Sequence, residues 1–313
     1  MPWAGAPAGH NMIEVVAALA PVFLVIVLGH GLARGAWFPE AFWRSAETLT
    51  YYLLLPALLL TRLAGVETAA LDWAPMAAAL VLAVLAVAGA LVALKPWLGL
   101  DDAAFTSVHQ GAIRVNVYVG LTVAAALYGP AGLTLAAIAI AAIIPLSNVL
   151  SVVVLSRYGD ATGRRPLGRQ LAFNPILLAC ALGILLNWLD LGMPAGIGPA
   201  LDILAAAALP LGLLTVGAGL DPKAVRHAGR AVIVAATAKL IAMPLVAALA
   251  CRLLAVEGAM AGTAILFAAL PVSVSSYVLS RQLGGAATLM ANVITIETVL
   301  AAATLPVIVV VFA

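Results

Sequence analysis

The sequence predicts an all-α polytopic membrane protein. Of the 313 residues, 65% are hydrophobic and only 9% are charged, and the mean hydropathy is +1.16. Apolar runs of about 20 residues, the length that an α-helix needs to cross a hydrocarbon core, recur along almost the whole chain. These observations exclude a soluble domain, and the formal net charge of +2 gives no indication of nucleic-acid binding.

Ten apolar segments are predicted to be transmembrane helices. They cover residues 13–33, 45–64, 73–94, 103–127, 131–156, 170–189, 198–219, 230–252, 258–281 and 286–311. The connections between them are short, so we expect no additional soluble domain. The two cysteines, Cys180 and Cys251, lie within or at the ends of these segments and are expected to be packing residues rather than a disulfide.

Lysine and arginine are unevenly distributed over the connections, and basic residues favour the cytoplasmic side of a membrane. With the N-terminus outside, the cytoplasmic connections carry Arg34, Arg44, Lys95, Arg157, Arg164, Arg165, Arg169, Lys223, Arg226, Arg230 and Arg281. The outer connections carry only Arg62 and Arg252. This asymmetry predicts a multi-pass protein of the bacterial inner membrane with both termini outside. No cleaved signal peptide is expected.

The two halves of the chain resemble each other. Ala20–Gly29 matches Asn174–Gly183, and LLPALLLTRLAG, ending at Gly65, matches ALPLGLLTVGAG, ending at Gly219, both at an offset of 154 residues. LYGPAGLTL and QLGGAATLM match at an offset of 155. Because each unit contains five spans, the second copy must have the inverted orientation, which is typical of transporters. We therefore predict a first repeat over 1–156, a cytoplasmic basic linker over 157–169 and a second, inverted repeat over 170–313.

Spans 4 and 9 are predicted to be interrupted halfway across the membrane. Pro271 lies near the middle of span 9, where it removes a backbone donor and pushes Leu270 out of the α region. The corresponding position in span 4 is Asn116, within a β-branched stretch between Gly111 and Gly120. Non-helical backbone at this depth is tolerated only inside protein or beside a wet cavity, so the substrate site is expected here.

The candidate substrate-binding residues are the polar ones at these interruptions. Arg114 could attract an anion, or it could be a structural partner for a carbonyl group or for Glu297. Amides can bind a carboxylate without carrying a charge, or they can hydrogen-bond between helices. The full predicted set is Arg114, Asn116, Asn148, Pro271, Ser273, Ser275, Ser276 and Tyr277. Half-helix N-termini at the interruptions would also favour an anion.

Three further ionisable residues are candidates for coupling. Lys239 in span 8 and Glu297 in span 10 could neutralise each other as a structural pair, or Glu297 could exchange protons. His109 could also titrate near neutral pH. Ionisable groups inside a membrane are rare and are often functional.

Motifs for catalysis or cofactor binding are absent from the sequence. The pair Asp101-Asp102 could suggest a magnesium site, but no second acidic cluster accompanies it, and a helix N-cap is the preferred interpretation. The chain contains no phosphate-binding glycine loop and no zinc motif. We therefore expect no enzyme activity, no cofactor and no metal.

Four motifs together resemble the auxin efflux carrier family, in particular its bacterial malate or malonate permeases. They are Asn174–Gly183, Pro210–Gly219, RVNVYVGL in span 4 and LPVSVSSYVLSRQLGG in span 9. The resemblance implies a fold similar to bile acid:sodium symporters, in which helices 4 and 9 cross at the substrate. It maps a substrate role onto Asn116, Asn148 and Pro271, and it implies homodimers for some relatives. Span 4 differs from the plant members because it lacks a proline.

The sequence thus predicts a secondary transporter of small organic anions that works by alternating access. Mono- or dicarboxylates such as malonate or malate, or auxin-like acids, are the expected substrates. The alternative is a sodium-coupled symporter of the bile-acid type. It would need several carboxylates near the crossing, where the sequence places only Glu297.

Overall fold

The computed structural model describes residues 12–65, 73–159, 173–193, 196–221, 223 and 229–312. All regular structure in these ranges is helical. Most of the predicted linker lies outside the described residues, as do Arg164, Arg165, Arg169 and Arg226.

Thirteen helices and two π-helical turns make up the described part of the chain. The helices are α1 (Met12–Arg34), α2 (Glu40–Leu49), α3 (Leu55–Ala64), α4 (Ala74–Leu98), α5 (Asp102–Ile113), α6 (Val117–Tyr158), α7 (Pro175–Trp188), α8 (Gly198–Ala218), α9 (Arg230–Thr237), α10 (Met243–Leu253), α11 (Gly258–Ala269), α12 (Ser275–Leu283) and α13 (Ala287–Phe312). The π turn Thr50–Leu54 joins α2 to α3, and the π turn Ala238–Ala242 joins α9 to α10.

Six helical runs of the described chain are long and apolar enough to cross a membrane. They are Met12–Arg34, Ala74–Leu98, Asp102–Tyr158, Gly198–Ala218, Arg230–Leu253 and Ala287–Phe312. Pro175–Trp188 and Gly258–Ala269 are shorter apolar helices. The architecture is therefore that of a polytopic, all-α membrane protein. The ten-span inverted repeat and its domain boundaries stay predictions.

Both predicted interruptions are present. Helix α5 ends at Ile113, and Arg114 and Asn116 adopt extended backbone before α6 begins. Helix α11 ends at Ala269, and Leu270 has the extended conformation expected before a proline, with ψ of 145°. The first interruption needs no proline, since it ends at an asparagine that starts the next helix.

Two further sites show how local sequence begins or bends a helix. The Asp101 carboxylate accepts a hydrogen bond from the backbone N–H of Ala104 at 2.7 Å, so the predicted N-cap is confirmed. Gly129, with φ of 60°, breaks the long helix α6 just before Pro130. A positive φ strains any residue with a Cβ atom, so this glycine marks the bend between the predicted spans 4 and 5.

Helix ends that the sequence assigns to the cytoplasm contact each other. Arg34 at the end of α1 lies 3.4 Å from the carboxylate of Asp221, which follows α8. Arg230 at the start of α9 donates to the carbonyl of Trp97 at 3.3 Å. Each contact joins two helix ends that the sequence assigns to the same side, whereas the orientation of that side in the membrane stays a prediction.

Helices α1 and α8 approach each other closely at two glycines. A Cβ atom on Gly217 would lie 1.8 Å from the carbonyl oxygen of Ile26, and a Cβ atom on Gly29 would lie 2.2 Å from that of Leu214. Small residues allow the backbones of membrane helices to approach this closely, and packing then stabilises the pair.

We predict that Gly217→Ala lowers the thermal unfolding temperature of the purified protein. The added methyl group must separate α1 from α8, and overpacking of this kind costs about 1–3 kcal/mol. Gly31→Ala is the matched control, because a Cβ atom there meets nothing within 4 Å. Gly31→Ala should leave the temperature unchanged or raise it. Equal effects of the two changes would contradict this packing.

Candidate substrate site

The two interruptions meet each other. The backbone N–H of Asn116 donates to the carbonyl oxygen of Pro271 at 2.8 Å. This bond joins residues that are 155 positions apart, and it pairs two groups that the interruptions remove from their helices. We call the place where the two interruptions meet the crossing. A hydrogen bond between two backbone groups holds it together.

Asn116 uses one half of its amide to begin α6. Its Oδ1 atom accepts hydrogen bonds from the backbone N–H groups of Tyr118 at 3.2 Å and Val119 at 3.4 Å, the geometry of an asparagine N-cap. Its Nδ2 atom is buried and has no hydrogen-bond partner among the described residues. One N–H donor group at the crossing is thus available to a ligand.

Glu297 supports the second interruption from α13. Its Oε2 atom accepts a hydrogen bond from the backbone N–H of Val272 at 2.9 Å, and its side chain is fully buried. The Oε1 atom lies against Gly111 of α5, where a Cβ atom would be 3.3 Å away. Glu297 therefore bridges the two interrupted helices.

Lys239 is also fully buried, on the π turn between α9 and α10. Its Nζ atom has no hydrogen-bond partner among the described residues, and no ion pair within 4.0 Å joins it to Glu297. Direct pairing of these two residues is absent, so their predicted relation reduces to a longer-range one. A coupling role for either stays a prediction.

A cavity lies beside the crossing. One wall contains Arg114, Asn116 and Asn148 together with Ser273 and Ser275, all from the predicted set. We call this the crossing wall. The sequence thus predicted five side chains that the fold brings together from α6 and from both interruptions.

Arg114 is the cationic residue of this wall. Its Nη1 atom donates to Oδ1 of Asn148 at 2.8 Å, and its Nη2 atom donates to Oγ of Ser275 at 3.0 Å. The Ser275 hydroxyl lies 2.9 Å from that of Ser273. Nε of Arg114 is buried without a partner in the described part of the chain. The hydrogen bonds of Arg114 to described residues go to the neutral side chains of Asn148 and Ser275, and its role, substrate binding or structural, stays a prediction.

Besides Glu297 and Lys239, four predicted residues do not line the cavity. Pro271 contributes its carbonyl group to the crossing and is itself buried. Ser276 is buried and Tyr277 is half-buried, because α12 begins at Ser275 and each further residue turns by about 100° around the helix axis. His109 is buried in α5 and packs beside the ring of Phe105, with 6.1 Å between ring centroids.

Other residues that line the cavity were not predicted from the sequence. They include Glu47 of α2, Tyr51 of the π turn and Thr215 of α8. These residues come from helices other than those of the crossing wall, and we call them the opposite wall. The Tyr51 hydroxyl accepts a hydrogen bond from Nδ2 of Asn174 at 3.3 Å. A π turn shifts the side chains that follow it around the helix and often lies at a functional site, but the apolar sequence TYYLL does not reveal it.

Comparisons with known proteins agree with this architecture. The family model described as "Membrane transport protein" matches residues 165–309. An "Uncharacterized transporter" from Methanothermobacter thermautotrophicus is 28% identical over 66% of the chain and 68% of that protein. A "Putative malonate transporter" from Rhizobium meliloti is 26% identical over 94% of both chains.

These matches cover the second interruption and, in the Rhizobium protein, nearly the whole chain. The resemblance inferred from the four sequence motifs is thereby confirmed. The chain is thus similar to membrane transport proteins of the auxin efflux carrier-like family, whose model covers residues 165–309.

Proposed function

We propose that this membrane transport protein is a secondary transporter of small organic anions and that the anion binds at the crossing wall. The observation that carries the proposal is the guanidinium of Arg114, which faces the cavity and has only neutral partners among the described residues. A partly desolvated cation without a counter-ion is costly. A bound anion would supply that counter-ion.

The attraction is large enough to select the charge of the ligand. Two opposite unit charges 4 Å apart attract each other by about 4 kcal/mol at an effective dielectric constant of about 20. Asn116 Nδ2 and Arg114 Nε add N–H donors without partners in the described chain, and α6 begins at the same place. N–H donors at a helix N-terminus favour a carboxylate.

We propose mono- and dicarboxylates as the substrate class, with malonate and malate as the leading candidates and auxin-like acids as larger ones. The crossing wall combines one cation, Arg114, with neutral hydrogen-bonding groups, which suits a ligand with a compact anionic head. The name of the Rhizobium relative, "Putative malonate transporter", supports the same choice.

Alternating access would move the crossing wall against the opposite wall. The two walls come from different helices, the interrupted ones on one side and α2, its π turn and α8 on the other. Movement between them would expose Arg114 to one side of the membrane and then to the other. The membrane potential could drive anion export, because one charge is worth about 2.3 kcal/mol per 100 mV.

We predict that malonate or malate raises the thermal unfolding temperature of the purified protein and that Arg114→Gln loses this effect. A ligand that binds only the folded state stabilises it. Loss of charge-assisted hydrogen bonds of about 1.5–3 kcal/mol should weaken binding roughly 10- to 100-fold. Arg252→Gln is the control, since Arg252 is exposed at the end of α10.

The same measurement separates the alternatives. Stabilisation by a carboxylate that is independent of sodium supports the anion transporter. Stabilisation that requires sodium would instead support the sodium-coupled symporter. If none of malonate, malate, succinate, indole acetate or taurocholate stabilises the protein, the proposal fails.

Substitutions of Asn116 should separate its structural and binding roles. Asn116→Asp keeps an N-cap oxygen but replaces the Nδ2 donor by negative charge, so we predict normal stability and loss of carboxylate uptake in proteoliposomes. Asn116→Ala should lose uptake and also about 1 kcal/mol of stability, because the cap is removed. Normal uptake by both variants would exclude Asn116 from the site.

A further inference from the structure

The opposite wall carries a carboxylate that the transport model above does not use. Glu47 is half-buried and lines the cavity that also contains Arg114. It forms no hydrogen bond or ion pair within the described residues. On the same helix, Glu40 is paired with Arg44 at 2.5 Å, and both of these side chains are exposed. Glu47 is thus the carboxylate of α2 that faces the binding space.

A carboxylate in this position conflicts with an anionic ligand. A substrate held by Arg114 would bring a second negative charge into the space that Glu47 lines. Two like charges in one partly desolvated cavity repel each other, and the system relieves the repulsion by binding a proton, as paired carboxylates do. The proton can reside on Glu47 or on the substrate, and in both cases the repulsion between like charges is removed.

We propose, on the basis of the function proposed above, that Glu47 links the binding of each anion to the uptake of one proton. The site then takes a carboxylate together with H⁺, and the charge moved by the protein depends on pH. Glu47 is a specificity-determining residue in this account, because it disfavours a fully ionised dicarboxylate and accepts a monoprotonated one. Neither coupling candidate from the sequence, His109 or Glu297, lines the cavity.

Among the described residues that line the cavity or lie on the helices packed against α2, Glu47 is the side chain best placed to bind the proton. The other ionisable side chains that line the cavity are Arg114, Tyr51 and Tyr118, whose reference pKa values lie far above neutral pH. Helix α2 packs against the π turn and α8. The one ionisable residue of α8, Asp202, lies roughly four helical turns from Thr215. Arg44, the cation of α2 itself, is occupied by Glu40.

The dissociation constant of acetate and of malonate for the purified protein, measured between about pH 6 and pH 8, tests the proposal. Acetate is fully ionised across this range, so a proton taken up with it must come to the protein. We expect binding to weaken by about tenfold per pH unit at the alkaline end, the slope for one linked proton. Glu47→Gln should remove the slope for acetate, and the matched control Glu40→Gln should keep it.

Proton uptake by the wild-type protein gives a second readout that needs no variant. Calorimetric titration with acetate in two buffers of different ionisation enthalpy should report about one proton bound per anion at the alkaline end. Binding with no proton uptake, or an unchanged slope in Glu47→Gln, would overturn the role of Glu47. Absence of any carboxylate binding by the wild type would instead reject the proposed function itself.

Discussion

The structure depends on the hydrogen bond from the Asn116 N–H to the Pro271 carbonyl, at 2.8 Å. A bilayer offers no water to backbone groups that leave a helix, and each unsatisfied group there costs several kcal/mol. One interrupted helix would be unstable for this reason. Two helices interrupted side by side can pair these groups with each other. Each interruption therefore stabilises the other at the crossing.

This pairing also explains why polar side chains gather at the same place. Asn116 caps the helix that restarts after the first interruption, and Glu297 binds the Val272 N–H of the second. Arg114 lies on extended backbone, where its guanidinium reaches Asn148 and Ser275. The residues that carry the remaining N–H donors, Arg114 and Asn116, line a cavity. The need to satisfy backbone groups inside the membrane thus also brings together the side chains of a candidate anion site.

Much of this arrangement follows from local sequence. Pro271 fixes the second interruption through its missing donor, and the internal repeat points to Asn116 as its counterpart. The opposite wall could not be predicted, because Glu47, Tyr51 and Thr215 approach the crossing only through packing between distant helices. The sequence also could not predict which side chains of α12 point toward the cavity. Because α12 begins at Ser275, Ser273 and Ser275 line the cavity whereas Ser276 and Tyr277 do not.

For the buried charged residues, the sequence predicted their location within apolar spans but not their contacts. Lys239 and Glu297 are both fully buried, as their positions within apolar spans suggested. Their lack of direct contact arises from geometry: Glu297 is turned toward Val272 and Gly111, while Lys239 lies on a π turn. The Glu297 carboxylate thus binds the backbone of the second interruption rather than Lys239.

Protection of a cysteine at the crossing tests the central claim most directly. Ser273→Cys would be made in a chain in which the two buried cysteines, Cys180 and Cys251, are replaced by alanine. The rate of its labelling by a water-soluble thiol reagent would then be measured with and without malonate. This account predicts that Cys at position 273 reacts and that malonate slows the reaction. Labelling that malonate leaves unchanged, in protein that still binds malonate, would place the anion elsewhere.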